Sequence, residues 1–472
     1  MRPSPRPRDA PGHDGRPGHA PFHPGHLTRA LAPFPGATRV RVAFSGGLDS
    51  TCLLSAAAAV ARRLPGPLEA VHLDHGLHPD SPHWAEHCKG VCKALGVPLT
   101  VRRLSIRRAP GESLEAVARE ARYAALAALL NPGELVLTAQ HQDDQAETLL
   151  LALLRGSGID GLAAMRPVSA LGLGRLVRPL LEIPRAALVA YAREQGLTWV
   201  EDPSNASIAF DRNFLRHRVL PVLRERWPRA SATLARSAAH SAEAADLIEA
   251  QAAGALTTLW GARPGALSIP ALSRLDPALS RAALRLWLRR RGMPLPDTAH
   301  LRRILTEVLP ARRDANPLVA WTGCEIRRYR GDLLALKPLP LRPINGALSW
   351  DGDVLVLPAS LGTLTRNPSG PPTDGSAAED GTRSLQVRFG VEGLWCRPGP
   401  LDHRRPLKKL FQEAAIPSWL RPYVPLVFAG ERLVAVAGVC PRAGQSEADR
   451  DDRGIHWTGH PWEGLGFFVE RG

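Results

Sequence analysis

Two periods of apolar and polar positions interleave through residues 38–140. Short apolar runs at 40–44, 68–73, 99–104 and 135–138 predict strands. Stretches with helical spacing at 51–63, 82–95 and 113–130 predict helices between them. The third helix has Ser113 in the N-cap position and stops at Asn131-Pro132-Gly133. Strands alternating with helices predict an α/β fold with a doubly wound parallel sheet, whose ligands bind at the carboxyl ends of the strands. Ser45, His75 and Gln140 fall at three such ends.

Past the sheet the pattern changes. Residues 180–250 turn helical and Arg-rich, and Ala/Leu/Arg helices continue through 232–310. A hairpin-like stretch at 318–337 interrupts them, and the Pro-, Gly- and Ser-rich run at 367–384 reads as a linker or long loop. The expected division is a disordered tail at 1–26, a nucleotide-binding domain at 27–231 and a helical basic domain at 232–345. A linker-containing segment at 346–390 and a small α+β C-terminal domain at 391–472 complete it. The tail is rich in Pro, Gly, Arg and His and has no apolar core, so it does not read as a secretory signal.

Composition adds a partner class. Among 472 residues, 60 Lys and Arg face 45 Asp and Glu, a formal charge of +15 that favours a polyanionic partner and salt-sensitive binding. No run of about 18 apolar residues predicts a membrane span. Six cysteines in a chain of this length do not make a disulfide framework, and a cytoplasmic protein is expected. His83, His87, Cys88 and Cys92 fall within one predicted helix, but the His and Cys pairs are offset by roughly 100°. A half-buried cysteine face is the expectation there rather than a tetrahedral metal site.

Three segments carry chemistry. Ser45-Gly46-Gly47-Leu48-Asp49-Ser50 joins a strand to a helix. Paired glycines let the backbone approach a phosphate, and the first N–H groups of the helix, having no partner of their own, point at the anion. No Gly-Lys-Ser follows, and an acid beside a phosphate nest would repel it unless Mg²⁺ sat between them, so Asp49 points to a metal-bridged nucleotide loop. The second segment, residues 138–148, runs from a strand end into a helix and holds Asp143, Asp144 and Glu147. Asp144 and Glu147 share a face, where they could complement the helix dipole, hold Mg²⁺ or receive a cationic substrate. In the third, Arg212, Arg216 and Arg218 could meet phosphates or form a solvated basic face.

The SGGxDS pattern resembles the pyrophosphate-loop, or N-type, ATP pyrophosphatases, which cleave ATP between its α- and β-phosphates. A closer resemblance rests on an ordered set: Asp74-His75-Gly76-Leu77, Ala118-Arg119-Glu120-Ala121-Arg122-Tyr123, Asp143-Asp144-Gln145-Ala146-Glu147-Thr148 and Arg155-Gly156-Ser157-Gly158. With Arg178-Pro179-Leu180-Leu181, Glu201-Asp202-Pro203-Ser204-Asn205, Asp211-Arg212-Asn213-Phe214-Leu215-Arg216 and the C-terminal Arg405-Pro406-Leu407-Lys408-Lys409, the chain resembles the tRNA(Ile)-lysidine synthases. It departs from that pattern once, where Gln140 fills the usual histidine slot and His141 stands next door.

The resemblance implies ATP and Mg²⁺ as cofactors, and L-lysine and a tRNA(Ile) with a CAU anticodon as substrates. The reaction it implies adenylates the wobble cytidine and replaces AMP by lysine, which changes codon reading from AUG to AUA. It places ATP on Ser45, Gly46, Gly47, Leu48, Asp49 and Ser50, with Mg²⁺ at Asp49 through phosphate. Lysine and catalysis fall to Asp143, Asp144 and Glu147, ATP or tRNA contacts to Arg122, Arg212 and Arg216, and tRNA binding to Lys408 and Lys409. Oligomeric state is left open, a homodimer included. A tRNA thiolase of the same loop class is the nearest rival, against which the missing C-x-x-C counts. A catalytically silent RNA-binding protein of the same fold is the other.

Overall fold

A computed structural model describes residues 21–76, 78–106, 114–312, 315–340, 346–366, 385–396, 403–440 and 455–468. The chain divides into two units between Asp246 and Leu247. In the first, α1 (Gly25–Leu31) precedes β1 (Arg39–Ala43), α2 (Leu48–Ala59), β2 (Leu68–Asp74), α3 (Ser81–Leu95) and β3 (Leu99–Arg103). Then come α4 (Leu114–Ala128), β4 (Glu134–Leu137), α5 (Gln142–Leu154), α6 (Ile159–Leu162), β5 (Val168–Leu171), β6 (Gly174–Val177) and α7 (Arg185–Glu194). The unit ends in α8 (Asp211–Phe214), a π-helical turn at Leu215–Val219, α9 (Leu220–Arg226) and α10 (Ala230–Leu256), within which the division falls.

The sheet runs in the order β3-β2-β1-β4-β6-β5, with every pair parallel except β5 against β6. Alternation along the strands sends side chains to two cores. Val40, Val42, Leu135 and Leu137 meet Leu53 and Leu54 of α2, Cys88 and Cys92 of α3 and Leu188 of α7. Val71, Leu73 and Val136 meet Leu126 of α4 and the following Leu130 on the other face. Each fully buried leucine contributes roughly 1.5–3 kcal/mol. The doubly wound expectation holds, with a hairpin of two further strands, β5 and β6, added at one edge.

One expectation needs correction. The tail call of 1–26 reaches too far: residues 1–20 lie outside the described residues, but Phe22 is buried edge-on against Tyr191, and α1 begins at Gly25. An aromatic ring with a core site outweighs the polar composition around it. The linker expected at 367–384 lies outside the described residues, as does Ser113; strands flank it within the 346–390 segment.

In the second unit, β7 (Leu267–Ser268), α11 (Ile269–Leu272), α12 (Pro277–Arg290), α13 (Thr298–Arg303), β8 (Leu318–Trp321), β9 (Cys324–Tyr329) and β10 (Asp332–Leu336) form the basic middle. Its helices pack on an antiparallel sheet ordered β7-β10-β9-β8, of which the sequence showed only the later hairpin. The last part holds β11 (Leu348–Trp350), β12 (Val354–Val356), β13 (Thr363–Arg366), β14 (Leu385–Arg388), β15 (Trp395–Cys396), β16 (Arg405–Pro406) and α14 (Leu407–Glu413). With β17 (Leu426–Ala429), β18 (Arg432–Val436) and β19 (Ile455–Thr458) they build small antiparallel sheets around buried aromatic residues, an α+β arrangement.

Candidate active site

The loop after β1 is shaped by its own small residues. Gly46 has φ +83°, and a Cβ there would come 2.9 Å from Cys88 Sγ and 3.1 Å from Val200 Cγ2, so only glycine fits. The Val200 N–H donates to the Gly46 carbonyl at 2.9 Å, fastening the loop from below. Gly47 is the N-cap of α2 and offers no side chain, which leaves the first helical N–H groups free to meet an anion. Ser50 is buried; its hydroxyl donates to the Gly47 carbonyl at 3.0 Å and meets Ser45 Oγ at 3.0 Å. Ser50 therefore shapes the loop, while Ser45 is exposed on it.

Asp49 turns toward α5. Its Oδ2 lies 3.6 Å from His141 Nε2 and its Oδ1 lies 3.7 Å from Arg185 Nε. Burial works to raise its pKa, but the His141 hydrogen bond and the charges of His141, Arg185 and Arg216 hold the carboxyl below its usual range. Oδ1 is buried without a hydrogen-bond partner among the described residues. A carboxylate oxygen kept ionised and open beside a phosphate nest fits a divalent cation.

The acids of α5 sit in an arginine lattice. Glu147, fully buried, accepts from Arg212 Nε at 2.7 Å, Arg216 Nε at 2.7 Å and Arg216 Nη2 at 2.9 Å. Asp144 Oδ1 accepts from Arg216 Nη2 at 3.1 Å and Arg212 Nη2 at 3.3 Å. Asp143 accepts from Arg224 and, at 3.1 Å, from the backbone N–H of Arg185. Burial opposes the Arg216 charge, yet Glu147, Asp144 and Asp49 raise its pKa further. His141 caps α5, its Nδ1 accepting from the Asp144 N–H at 3.4 Å while the His141 N–H donates to Asp144 Oδ2 at 3.0 Å. Gln140 lines the cavity instead and accepts from Thr138.

These groups enclose two cavities. The larger, about 830 Å³, is lined by Ser45, Gly47, Asp49, Asp144, Arg212 and Arg216, and reaches His75, Arg122 and Tyr123 on its far side. The smaller, about 470 Å³, is lined by Asp143, Glu147, Arg185, Arg224 and Arg229. Arg185, Arg216 and His217 border both.

Ser45, Gly47, Leu48, Asp49, Ser50, Asp144, Arg122, Arg212 and Arg216 thus line the larger cavity, Asp143 and Glu147 line the smaller, and Gly46 lies behind the loop. Lys408 and Lys409 lie in the second unit, exposed on the first turn of α14. Sequence reasoning missed Arg185, Arg224 and the inward position of His141, and no motif signal could have found the two arginines. Cys88 and Cys92 are core residues, and no group of three or more His, Cys, Asp or Glu among the described residues could hold a metal ion.

Comparison with known proteins agrees with this geometry. A PP-loop domain model matches residues 25–223, a TilS substrate binding domain model 267–334, and a TilS substrate C-terminal domain model 385–457. The tRNA(Ile)-lysidine synthase of Alkalilimnicola ehrlichii is 45% identical over 418 residues, covering 88% of this chain and 93% of that one. That of Coxiella burnetii is 40% identical over 420 residues, covering 89% and 93%. That of Escherichia coli O157:H7 is 42% identical over 403 residues, covering 85% and 92%.

Proposed function

The chain belongs to the tRNA(Ile)-lysidine synthases, and we propose that its two cavities divide the substrates of that ATP-dependent ligase, with nucleotide and cytidine in the larger and lysine in the smaller. The protein forms lysidine on tRNA(Ile) and uses ATP to do so. The observation that carries the division is the acid–arginine lattice standing between the two cavities.

In the larger cavity the N–H groups at the start of α2 hold the pyrophosphate. The C2 oxygen of the cytidine attacks the α-phosphorus, and pyrophosphate leaves. Asp49 is the residue that would hold Mg²⁺ on the phosphates, where the metal neutralises charge developing on the leaving group. Arg212 and Arg216 line the same region and supply positive charge to it.

The smaller cavity suits a free amino acid because it presents both signs. Arg185 and Arg229 face the carboxylate of lysine, and Asp143 and Glu147 face its ammonium groups. The ε-amine reaches C2 from this side, forms the new carbon–nitrogen bond and loses a proton, and AMP departs with the former C2 oxygen. Asp144, on the wall of the larger cavity, is placed to take that proton. Lysine must compete with the arginines that now hold these acids, so a shift of Arg212 or Arg216 toward phosphate accompanies its entry.

Lys408 and Lys409 support the tRNA-binding reading of the C-terminal part. They stand in the first turn of α14, where the helix dipole disfavours cations, so their placement serves something other than helix stability. The experiment is release of AMP and pyrophosphate by the purified full chain with CAU-anticodon tRNA(Ile) and each amino acid in turn. Release requiring both lysine and this tRNA is expected. Release indifferent to lysine would overturn the reading.

A further inference from the structure

Arg216 borders both cavities, and two acids of α5 hold its guanidinium. Nε donates to Glu147 Oε1 at 2.7 Å, and Nη2 is shared between Glu147 Oε2 at 2.9 Å and Asp144 Oδ1 at 3.1 Å. Glu147 Oε2 also accepts from Arg212 Nε, but Oε1 has no second donor among the described residues. The Glu147 side chain is fully buried, whereas 30% of the Arg216 side chain is exposed. The acid is the fixed member of the pair and the arginine the movable one.

Movement is confined to the side chain. Arg216 lies in the π-helical turn at Leu215–Val219, a widened turn of a kind that recurs at functional sites. Leu215 is buried, and Asn213 Nδ2 donates to the carbonyls of Ser204 at 3.0 Å and Ser207 at 2.9 Å. His217 Nε2 lies 2.9 Å from the Asn205 carbonyl. With the backbone fastened on both sides, rotation of the arginine toward the larger cavity is the freedom that remains.

Charge supplies the reason to rotate. In the smaller cavity Asp143 and Glu147 face four arginines, Arg185, Arg216, Arg224 and Arg229. Lysine itself carries net positive charge. In the nucleotide-free protein it therefore meets an excess of like charge and an acid whose oxygens are taken. A triphosphate in the larger cavity reverses both conditions. It offers charged oxygens that a guanidinium fork binds well. A turn of Arg216 toward them opens Glu147 Oε1 and removes one cation from the smaller cavity. Stripping a buried carboxylate of its partner is costly, so the arginine leaves as an ammonium arrives, and the two moves are one exchange.

We propose that Arg216 is a gate between the two sites, so that L-lysine binds tightly only once a nucleoside triphosphate fills the larger cavity. It acts on lysine through Glu147 and is a positioning residue for it. This inference rests on the division of substrates between the cavities, and adds the order of binding and the residue that enforces it.

The test is equilibrium dialysis of radiolabelled L-lysine against the purified full chain, with and without saturating α,β-methylene-ATP and Mg²⁺. That nucleotide cannot be cleaved between its α- and β-phosphates. In wild type it should tighten lysine binding about tenfold, and saturating lysine should tighten nucleotide binding by the same factor. Arg216→Gln should bind lysine more tightly than wild type when nucleotide is absent, with coupling below about twofold. Arg216→Lys, which keeps the charge, should retain coupling of about threefold or more. Equal lysine affinity with and without nucleotide in wild type overturns the inference without recourse to any variant. Full coupling in Arg216→Gln overturns it too, since the charge of the nucleotide would then act alone. So does an equal loss of lysine affinity in both states of Arg216→Gln, the signature of a mere prop for Glu147. Arg229→Ala, on the wall of the smaller cavity alone, should weaken lysine in both states. Unchanged affinity there would sink the division of substrates and the gate with it, whereas absent coupling with that weakening intact sinks the gate alone.

Discussion

The first unit carries two arginine–carboxylate networks, one at each end of the same strands. At the amino ends, Arg39 and Arg41 of β1 stand between Glu69 of β2 and Glu134 of β4, with Arg39 Nε 3.3 Å from Glu134 and Arg41 Nε 3.4 Å from Glu69. Arg41 is the cross-strand neighbour of Glu69, and Arg39 that of Glu134. At the carboxyl ends, Asp49, Asp144 and Glu147 meet Arg185, Arg212 and Arg216. Both networks are partly buried, and in each an arginine bridges two carboxylates. What separates them is access: the first borders neither cavity, while the second walls both and leaves Asp49 Oδ1 with an ion pair to Arg185 but no hydrogen bond. Pairing of charges alone does not mark a site; unused hydrogen-bonding capacity beside a cavity does.

The largest effect should come from Asp49→Asn. Removing its charge takes away the group placed to bind metal and balance the leaving phosphate, so lysine-dependent AMP release should fall roughly 10²–10³-fold. Melting temperature should move little, because Asp49 makes only long contacts with its partners, at 3.6 and 3.7 Å. Near-wild-type turnover would erase the distinction between the two networks.

The amino-end network should show the reverse. Glu134 is 5% exposed, accepts from Arg41 and receives the Asn131 N–H at 2.9 Å. Glu134→Ala leaves Arg39 and the buried Arg41 with Glu69 as their one carboxylate and unpairs the Asn131 N–H, at a cost of about 3 kcal/mol. Melting of the first unit should drop by roughly 6–12 °C at that loss. Turnover per folded molecule should stay within about twofold. A selective loss of kcat in a variant that melts normally would mean the strut reaches the site. Arg212→Ala belongs between these cases, since it removes one of the three hydrogen bonds to the fully buried Glu147 and a cavity wall at once.

How far each network could be read from the sequence follows from the separation of its parts. The loop at 45–50 and the acids at 143–147 are contiguous, so local spacing exposed them, and strand edges fell within a residue of expectation because alternation is local. Arg185 and Arg224 reach Asp143 across 42 and 81 residues, and nothing near either marks it. Arg41 interrupts an apolar strand, and only the register with Glu69 shows what it pairs with. His141 illustrates a finer limit. Its place beside Gln140 was visible, but its role as a cap turned toward Asp49 depends on the angle at which α5 leaves β4.

That residue offers the smallest and most discriminating effect. Burial works to lower the pKa of His141, but Asp144, Asp49 and Asp143 outweigh it and hold the ring above its ordinary 6.5. A raised folded-state pKa stabilises the protein fully below 6.5, and that stabilisation fades as pH rises through the folded value. Asn is as good an N-cap as any residue, so His141→Asn keeps the cap and removes only the titrating charge. In denaturant unfolding, the stability gap between wild type and His141→Asn should therefore be widest at acidic pH and narrow as the solution becomes alkaline. The opposing influence is the cap itself, since Nδ1 can accept from the Asp144 N–H only when it carries no proton. A gap that stays flat across that range would show that the cap wins and His141 remains neutral. The carboxyl-end network would then hold Asp49 through a hydrogen bond rather than a charge.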